Sequence, residues 1–368
     1  MKIVHLTSSH TRNDSRVFHK MCTSCAQAGH EVTLVLSDGK GSENDLDLNI
    51  IDVGSSWGRI SRLVINPIKI ALKVYKYRNC IFHLHDPELL LISFFLRGKN
   101  NKIIFDMHEN MHMQILQKEW IGNYFFRKIL SKLYLLIETI LIKRLDSLIV
   151  VQPQMKKIYS HMNKNIIVIH NYAKVSKSIN HIKDNNLNKK NIIYAGGISE
   201  DRGLSNMIKL IQYLPQDYKL HIAGAINNQN KCSLNRINTS RIKIHGLLNR
   251  KDLFKLYEDC SIGLILFNNV GQYHMTYSLK LFEYMQFGLT ILLPNFGQWV
   301  DFNATYKVGF NVNTKDSKAC SEIIRNLSIE QLNSFKEANK SKLLKYFNWD
   351  DEFLRLEKHY MNLNLKKI

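Results

Sequence analysis

The sequence predicts an α/β protein with two Rossmann-like, doubly wound parallel-sheet domains that face each other across a cleft. Its 368 residues are 45% apolar, which is enough to build two domains of ordinary size. Short β-branched runs alternate with helical stretches throughout, as in parallel sheets covered by helices on both faces. A polar, Lys/Asn-rich stretch at residues 173–190 interrupts the alternation, and we interpret it as a linker.

The first domain is predicted over residues 1–172. Its strands are expected in short apolar runs rich in β-branched residues. Seven runs of this kind follow one another: KIVHLTS, EVTLVLS, LNIIDVG, CIFHLHD, KIIFDMH, SLIVV and NIIVIHN.

The second domain is predicted over residues 191–347, where the same pattern restarts. Six runs have strand composition: NIIYAGG, YKLHIAG, RIKIHGL, CSIGLILF, LTILLPN and VGFNVN. The remaining residues, 348–368, carry apolar side chains at helix spacing and predict a C-terminal helix. Ligands of doubly wound sheets bind beyond the carboxyl ends of the strands, so we expect the active site in the cleft between the domains.

Charge and cysteine usage exclude several classes of protein. The net charge is +20, which favours polyanions or an anionic surface as partners, but no basic tail or RNA-binding signature accompanies it, so nucleic acid is not expected. Six irregularly spaced cysteines do not form a disulfide framework and indicate a reducing compartment such as the cytoplasm. The longest apolar run, LLLISFFL, is far shorter than the roughly 20 residues that span a bilayer.

The segment HENMH, which begins at His108, has the spacing of a zinc metalloprotease motif. A zinc site needs both histidines on one face of a continuous helix, whereas His108 ends the apolar run KIIFDMH, which has strand composition. We therefore interpret His108 as a strand-end residue that faces the ligand site, with zinc as the alternative. His85, Asp86 and Glu88 end the preceding strand and are expected at the same edge. His83 is assigned to the opposite face of that strand and left out of the site.

The segment YAGGISEDRGL joins the first strand of the second domain to its first helix. Gly196 and Gly197 allow backbone amides to approach a ligand closely, and Arg202 adds a forked positive charge. This combination suits an anionic group such as a phosphate. A glycine-rich turn with a solvated arginine is the structural alternative.

The segment YSLKLFEYMQFG predicts a helix that carries Lys280 and Glu283 one turn apart, while Leu281, Tyr284 and Met285 pack inward. At a ligand site, the cation suits a diphosphate and the carboxylate suits a ribose diol. On an open surface they would form an ordinary pair worth a few tenths of a kcal/mol.

The chain resembles the retaining glycosyltransferases with two Rossmann domains (GT-B fold), specifically the large bacterial, glycosyltransferase family 4-like group that builds O-antigen, capsule and exopolysaccharide. The resemblance extends over nearly the whole chain, and its most specific block is LKLFEYMQFGLTILL. The other blocks follow the order of the family: SSHTRNDSRVFHKMCTSCAQAGHEVTLV, HLHDPELL with FDMHEN, YAGGISEDRGL, and HGLLNRKDLFKLYEDCSIGLI.

The resemblance implies roles for particular residues. Glu283 would accept hydrogen bonds from the ribose of the donor, and Arg202 and Lys280 would hold its diphosphate. His108 would lie near the transferred sugar and position the reacting groups. The segment His245–Gly246 would border the nucleobase. These four side chains, His108, Arg202, Lys280 and Glu283, form the predicted catalytic set.

The acceptor is expected on the side of the first domain, at His85, Asp86, Glu88 and Glu109. The resemblance also implies that the C-terminal helix crosses back to the first domain. The expected donor is a nucleoside-diphosphate sugar, and no metal cofactor is expected, because basic side chains and helix N-termini can stabilise the leaving diphosphate.

Two positions depart from the family pattern. The first glutamate of its E-x7-E motif would fall at position 275, where this chain has Met275. Tyr273, His274 or backbone amides could replace that contact with the donor sugar. The basic residue that usually follows the first-strand glycine is replaced by Gly197, so diphosphate binding would depend more on Arg202 and Lys280.

The acceptor is expected to be lipid-linked, as in an undecaprenyl-diphosphate-linked saccharide. The stretch RISRLVINPIKIALKVYKYR contains no acid and six cations: Arg59, Arg62, Lys69, Lys73, Lys76 and Arg78. Such a stretch would suit the anionic cytoplasmic face of the inner membrane. The alternative is a solvated helix face near the acceptor site. A second stretch, RKILSKLYLLIETILIKR, is predicted to be a core helix. Two other functions remain open: a sugar-nucleotide epimerase of the same fold, and a non-catalytic sugar-nucleotide-binding protein.

Overall fold

A computed structural model describes residues 1–45, 48–55, 58, 61–98, 100–108, 110–174, 190–225 and 240–365 of the chain. These residues form two compact units. Unit 1 comprises Met1–Asn171 and Trp349–Ile368, and unit 2 comprises Tyr172–Asn348. Most of the stretch that we interpret as a linker, residues 175–189, lies outside the described residues.

Unit 1 contains an eight-stranded sheet with the strand order β3-β4-β2-β1-β5-β6-β7-β8. All neighbouring strands are parallel except β3, which pairs with β4 in the antiparallel direction. The strands are β1 (Lys2–Leu6), β2 (Glu31–Leu36), β3 (Glu43–Asp45), β4 (Leu48–Asp52), β5 (Ile81–Leu84), β6 (Lys102–Met107), β7 (Ser147–Val150) and β8 (Ile166–Val168). The seven predicted strands all form, and the short edge strand β3 is an addition.

Helices cover both faces of this sheet. In the described part of residues 1–171, the α-helices are α1 (Thr23–Gln27), α2 (Asn66–Val74), α3 (Ser93–Leu96), α4 (Met111–Gln117), α5 (Tyr124–Ile142) and α6 (Pro153–Tyr159). Two π-helical segments, Val17–Cys22 and Ser61–Ile65, lead directly into α1 and α2. The helices leave separate buried apolar clusters on the two faces of the sheet.

Helix α5 corrects one prediction, because it is not a core helix. Its first turn is capped by Asn123, whose side chain accepts a hydrogen bond from the backbone of Phe126 at 2.9 Å. Near its end Leu141 and Ile142 are buried, but large apolar side chains along most of its length are 43–72% exposed. These exposed residues are Tyr124, Phe125, Phe126, Ile129, Leu133, Leu136, Ile137 and Ile140.

Unit 2 contains a six-stranded, fully parallel sheet with the strand order β11-β10-β9-β12-β13-β14. The strands are β9 (Asn191–Ala195), β10 (Lys219–Ala223), β11 (Ile242–Gly246), β12 (Ile262–Leu264), β13 (Thr290–Pro294) and β14 (Gly309–Val312). They match the six runs predicted from the sequence.

Among the described residues of unit 2, the α-helices are α7 (Leu204–Tyr213), α8 (Arg250–Glu258), α9 (Leu279–Gln286), α10 (Gln298–Tyr306), α11 (Ser317–Asn326) and α12 (Ile329–Tyr346). In α9, Leu281, Tyr284 and Met285 are fully buried, as the helical spacing predicts.

The last helix, α13 (Trp349–Leu365), follows unit 2 in the chain but packs in unit 1. Trp349 and Tyr360 are fully buried in the same apolar cluster as strands β1 and β2. The indole Nε1 of Trp349 lies 3.0 Å from Ser24 Oγ, to which it donates a hydrogen bond. The phenol of Tyr360 lies 2.6 Å from Nδ1 of His83.

The strand order reverses between β1 and β5 in unit 1, and between β9 and β12 in unit 2. At such a switch point the connections leave in opposite directions and open a crevice at the carboxyl ends of the strands. The residues that immediately follow β1, β5 and β9 are therefore the first place to look for a ligand site. No helix among the described residues combines the length and the hydropathy needed to cross a bilayer.

Candidate active site

In unit 1, the carboxylate of Asp86 organises the switch point. Asp86 follows β5 and is almost fully buried. It accepts hydrogen bonds from Thr7 Oγ1 at 2.6 Å and from the backbone of Ser8 at 2.7 Å, and the hydroxyl of Ser9 donates as well. Burial alone would raise the pKa of Asp86, but His10 and these hydrogen bonds hold it below its usual value.

Glu88 lies next to this cluster. Its carboxylate accepts a hydrogen bond from Ser8 Oγ at 2.8 Å and lies 3.8 Å from Nε of Arg62. Burial, together with the negative charge of Asp86, raises the pKa of Glu88. Two carboxyl groups with oppositely shifted pKa values therefore share one edge of the sheet.

Asp106, a buried carboxylate on β6, holds the neighbouring histidines. Arg16 binds it through two hydrogen bonds, of 2.8 and 2.7 Å, and Nδ1 of His85 lies 3.4 Å from Oδ2 of Asp106. Burial alone would raise the pKa of Asp106, yet the charge and hydrogen bonds of Arg16 keep it well below its usual value. Nδ1 of His108 lies 3.2 Å from the carbonyl oxygen of Asp106 and 3.7 Å from its carboxylate.

The segment from His108 to His112 does not form a zinc-binding helix. His108 follows strand β6, whereas His112 lies in α4, whose first turn is capped by Asn110. The two imidazoles therefore do not project from one continuous helix, which is the geometry that this motif requires.

His83 corrects a second prediction, because it lies on the same face of the sheet as His85. Alternate residues of a strand share a face. The rings of His83 and His85 stack with centroids 4.5 Å apart, and His5 Nδ1 lies 2.9 Å from His85 Nε2. These three buried histidines are the only group of ligand-type side chains close enough to share a metal ion within the described ranges. Two of the three ring pairs stack, with interplanar angles of 14° and 26°, and the pair of His5 and His83 is tilted at 33°.

A cavity of about 290 Å³ opens beside these groups within unit 1. His85, Asp86, Glu88 and His108 all line it. Its other charged or polar walls are Ser9, His10, Arg62, Asp106, Gln114, Lys118 and Glu138. The structure thus brings together four of the five first-domain residues that the sequence predicted, and the fifth, Glu109, lies outside the described residues.

Glu138, on α5, is a buried wall of the cavity that the sequence analysis missed. Tyr134 and Tyr159 donate hydrogen bonds of 3.1 and 3.4 Å to its two carboxylate oxygens. Burial raises the pKa of Glu138 to about 7, which these hydrogen bonds only partly oppose. In the sequence, Glu138 is one acid in an apolar helix, which gives no sign that it faces a cavity.

In unit 2, a glycine turn follows β9 at the switch point. Gly196 has φ +132°, and a Cβ there would lie 2.9 Å from Nζ of Lys280. Gly224, after β10, has φ +151°, and a Cβ there would come within 1.9 Å of the carbonyl oxygen of Gly196. A side chain at position 196 would therefore crowd the cation, and one at position 224 would collide with the backbone of the turn.

Arg202 reaches the same turn from the short 3₁₀ helix Glu200–Arg202. Its Nη1 donates to the carbonyl of Gly197 at 3.3 Å, and its Nε donates to the hydroxyl of Tyr273 at 3.2 Å. A Cβ at Gly197 would lie 2.7 Å from Nη1. The glycine that replaces the basic residue of the family pattern thus leaves room for the guanidinium of Arg202.

Lys280 is buried at the start of α9. Its Nζ lies 3.7 Å from the ring centroid of Tyr194 and 4.9 Å from that of Phe267. Within the part of the chain that the structure describes, this ammonium makes no hydrogen bond. Burial, reinforced by the charge of Arg202 and partly opposed by Glu283, lowers the pKa of Lys280 well below its usual value.

Glu283 lies one turn further along α9 and is partly exposed. Its Oε2 accepts a hydrogen bond from the hydroxyl of Tyr257 at 2.9 Å. Tyr257 is the last buried residue of α8, and the sequence did not predict it as part of the site. The predicted residues Gly196, Gly197, Arg202, Lys280 and Glu283 therefore surround one small region of unit 2.

His245 and Gly246 lie at the end of β11, two strands away from β9. The carbonyl of Gly246 accepts a hydrogen bond from the backbone of Gly224 at 2.7 Å, which links this strand end to the glycine turn. His245 Nε2 lies 3.0 Å from Nδ1 of His221, and their rings stack. Burial and the neighbouring His245 lower the pKa of His221 to about 4, and burial also lowers the pKa of His245.

Two family models match the chain. The model of glycosyltransferase family 4 matches residues 15–176, and that of glycosyl transferases group 1 matches residues 176–342. No curated protein in the comparison matches the chain.

Several solved structures resemble the chain over its length. Sucrose-phosphate synthase from Thermosynechococcus elongatus has a TM-score of 0.76 at 15% identity and covers 100% of both chains. A trehalose-6-phosphate protein from E. coli, bound with UDP-2-fluoro glucose, has a TM-score of 0.70 at 13% identity and covers 100% of this chain and 99% of its own. Anabaena HepE in complex with UDP and glucose has a TM-score of 0.68 at 12% identity and covers 98% of this chain and 100% of its own.

Proposed function

The chain is a glycosyltransferase with the GT-B fold, and on that premise we propose that it moves a sugar from a nucleoside-diphosphate sugar to a lipid-linked saccharide with retention of configuration. The biological setting that we propose is surface polysaccharide biosynthesis, of O-antigen or capsule. One observation carries the donor assignment: Arg202 and Lys280 reach the same glycine turn at the switch point of unit 2.

The donor diphosphate is proposed to bind at Gly196 and Gly197. An ammonium and a guanidinium beside one turn can neutralise two phosphate groups, and the fork of Arg202 can bind phosphate oxygens through two hydrogen bonds. Lys280 lies in the first turn of α9, whose N-terminal partial charge has the same sign. These groups are held in place before a ligand arrives, so they need little rearrangement when charge develops.

The rest of the donor is assigned from the neighbouring strand ends. Glu283 is proposed to accept hydrogen bonds from the ribose hydroxyls, with Tyr257 fixing one of its oxygens. The segment His245–Gly246 is proposed to border the base. Two of the three similar structures described above contain UDP or a UDP sugar, which makes uridine the first base to test.

The proposed transfer is metal-independent. As the bond between the sugar and the diphosphate breaks, negative charge grows on the leaving phosphate, where Arg202 and Lys280 stabilise it. In a retaining reaction the acceptor hydroxyl attacks from the face that the phosphate leaves, and the departing phosphate oxygen takes its proton. His108, held by Asp106, is proposed to position the reacting groups.

The acceptor sugar is proposed to bind in the cavity of unit 1. A volume of about 290 Å³ accommodates one sugar ring with a few waters, and the walls include both hydrogen-bond donors and acceptors. Two walls of this cavity are followed in the chain by exposed apolar residues. Arg62 lines it and is followed by the exposed Leu63 and Val64, while Lys118 lines it and is followed by the exposed Trp120.

This continuity supports an acceptor whose sugar is attached to a lipid. Exposed apolar residues are concentrated on α5 and on the segment that leads through α2, and each of these segments also supplies one wall of the cavity, Glu138 and Arg62. Cations lie among them on both segments: Arg62, Lys69, Lys73, Lys76, Arg78, Arg127, Lys128 and Lys132. Apolar and aromatic side chains with interspersed cations suit an anionic membrane surface. Arg59, the remaining cation of the predicted stretch, lies outside the described residues.

The donor site can be tested by thermal stabilisation of the full chain with UDP, ADP and GDP and with their sugar derivatives, since a ligand that binds only the folded state raises the melting temperature. Sugar transfer is then assayed with the donor that stabilises the protein. Replacement of Glu283→Ala should abolish transfer, whereas the same change at the exposed Glu258 of α8 should leave the rate unchanged. An unchanged rate in the Glu283 variant would remove this residue from the site.

Two further outcomes distinguish the alternative functions. Full activity in EDTA is expected, and its loss would favour zinc. Products formed without any acceptor would favour an epimerase.

A further inference from the structure

Tyr194, the first residue of the segment YAGGISEDRGL, contacts both Lys280 and the glycine turn of the proposed diphosphate site, a role that its place in that segment does not predict. It lies on β9, is fully buried, and places its ring 3.7 Å below Nζ of Lys280. Its hydroxyl donates a 2.7 Å hydrogen bond to the carbonyl of Gly197. That carbonyl is also the acceptor for Nη1 of Arg202. One side chain thus contacts the lysine directly and shares a hydrogen-bond acceptor with the arginine.

The face of an aromatic ring is an unusual partner for a buried lysine, and it has a specific consequence. A carboxylate would hold the ammonium through hydrogen bonds and would cancel its charge. The ring attracts the cation through its quadrupole, uses none of its N–H donors, and brings no net negative charge. All three donors of Lys280 therefore stay available for phosphate oxygens. Phe267, at 4.9 Å, adds a weaker contact of the same kind.

The position of Lys280 makes such support necessary. Its Nζ is buried close to the guanidinium of Arg202, and both burial and this neighbouring charge favour loss of the proton. Glu283 favours the charged form but is occupied by Tyr257. Without the ring, the ammonium would lose its closest favourable neighbour among the residues described.

We propose that Tyr194 is a positioning residue for the donor diphosphate, whose ring keeps the ammonium of Lys280 charged and aimed at the glycine turn while its hydroxyl fixes that turn beside Arg202. This inference rests on the proposed function, because it assigns the ligand of Lys280 as a diphosphate. It extends that function by naming the group that maintains the charge.

The test compares Tyr194→Phe with Tyr194→Leu in the full chain, with UDP as the probe and ADP and GDP beside it. The Phe variant keeps the ring and loses only the hydrogen bond to Gly197, so it should bind the nucleotide about threefold more weakly than the wild type. The Leu variant keeps an apolar side chain but has no ring, and should bind at least about tenfold more weakly. The proposal would be overturned if the Leu variant binds the nucleotide as tightly as the wild type does, or if both variants lose the same amount of affinity.

Two measurements separate positioning from general damage to the core. Nucleotide affinity should fall at a lower pH in the Leu variant than in the Phe variant, because its Lys280 loses the proton more easily. In a Lys280→Met background, Tyr194→Leu should cause little further loss, since the two side chains act through one contact. A full additional tenfold loss in that background would refute the coupling.

The same experiment distinguishes this inference from the function on which it rests. If none of the three nucleoside diphosphates stabilises the wild type, both are wrong. If one of them stabilises the wild type and the Leu variant equally, the donor site stands and the role of Tyr194 is wrong.

Discussion

Lys280 illustrates, at the scale of the residue, how burial gives an ordinary side chain a particular task. Its ammonium is buried against Tyr194 beside Arg202, so a phosphate that enters this region meets positive charge in a place with little water. Electrostatic interactions are stronger there than on an open surface. The same spacing of Lys280 and Glu283 on an exposed helix would have been a weak ion pair.

Replacement of Lys280→Met should lower kcat/KM for the donor by about 10²–10³-fold, which is typical for the loss of one group that stabilises a developing negative charge. Methionine fills a similar volume, so the melting temperature without ligand should stay the same or rise. Steady-state kinetics would be compared with those of Lys209→Met, an exposed position on α7. A loss of less than threefold at position 280 would contradict the assignment.

Glu138 predicts a dependence of stability on pH. Its pKa is about 7 in the folded protein and near 4.5 when unfolded, so ionisation above pH 7 costs the folded state free energy. The unfolding free energy should therefore fall as the pH rises from about 4.5 to 7. Glu138→Gln should remove this fall and be more stable than the wild type at pH 8, by roughly 1–3 kcal/mol.

Denaturant unfolding at pH 4 and pH 8 would measure this difference. At pH 4 the side chain at position 138 is mostly uncharged in both the wild type and the Gln variant. The two proteins should then have nearly the same free energy of unfolding. Glu258→Gln, at an exposed position, should show no such change between the two pH values. A Gln variant that is less stable than the wild type at pH 8 would show that the carboxylate is needed in its charged form.

Helix α5 shows, at the scale of the element, what periodicity can predict. Its length and its apolar composition indicate a helix, and the structure confirms one. Periodicity does not state what covers an apolar face, and here much of that face is exposed. The strand β3 was missed for the opposite reason, because Glu43–Asp45 has no apolar pattern and forms a strand by pairing with β4.

The exposed face of α5 predicts a measurable affinity for membranes. The wild type should bind vesicles that contain phosphatidylglycerol more tightly than vesicles of phosphatidylcholine, and binding should weaken with salt. Exchange of Phe125→Ser together with Leu133→Ser should reduce binding at least tenfold, since about 2 kcal/mol is lost for each large apolar side chain that no longer inserts. Co-sedimentation with vesicles gives the affinity.

Leu354→Ser, at an exposed position of α13, is the matched control and should bind as the wild type does. If the double variant binds vesicles as tightly as the wild type, α5 does not face the membrane. If the wild type binds neither kind of vesicle, the surface has another partner.

At the scale of the whole molecule, the parallel strands were predictable because each is a short β-branched run, whereas the sites depend on contacts between distant residues. The link from Arg16 to Asp106 spans ninety positions, and nothing in either segment predicts it. The prediction that His83 faces away from His85 was wrong. Side chains two positions apart on a strand lie on the same face of the sheet, and the rings of His83 and His85 stack there. The glycine turn, Arg202 and Lys280 were predicted as one group because each lies in a block with a recognisable pattern, and the structure places them close together.

The packing of α13 in unit 1 leads to a prediction for the whole chain. A chain that ends at Asn348 lacks Trp349, Leu356 and Tyr360, which are fully buried in unit 1, and leaves His83 without the phenol that it contacts. Loss of a buried aromatic or leucine side chain costs about 2–5 kcal/mol each, so the three together approach the roughly 5–15 kcal/mol that stabilise a domain. Unit 1 should then unfold at physiological temperature although 171 of its residues remain.

Unit 2 keeps its whole sheet and its proposed donor residues in this shortened chain. Calorimetry should therefore show one unfolding transition, and UDP should still raise its temperature. A chain shortened only to Asn364 retains the three side chains and should melt as the full chain does. Survival of both transitions without α13 would mean that the helix contributes little to the fold of unit 1.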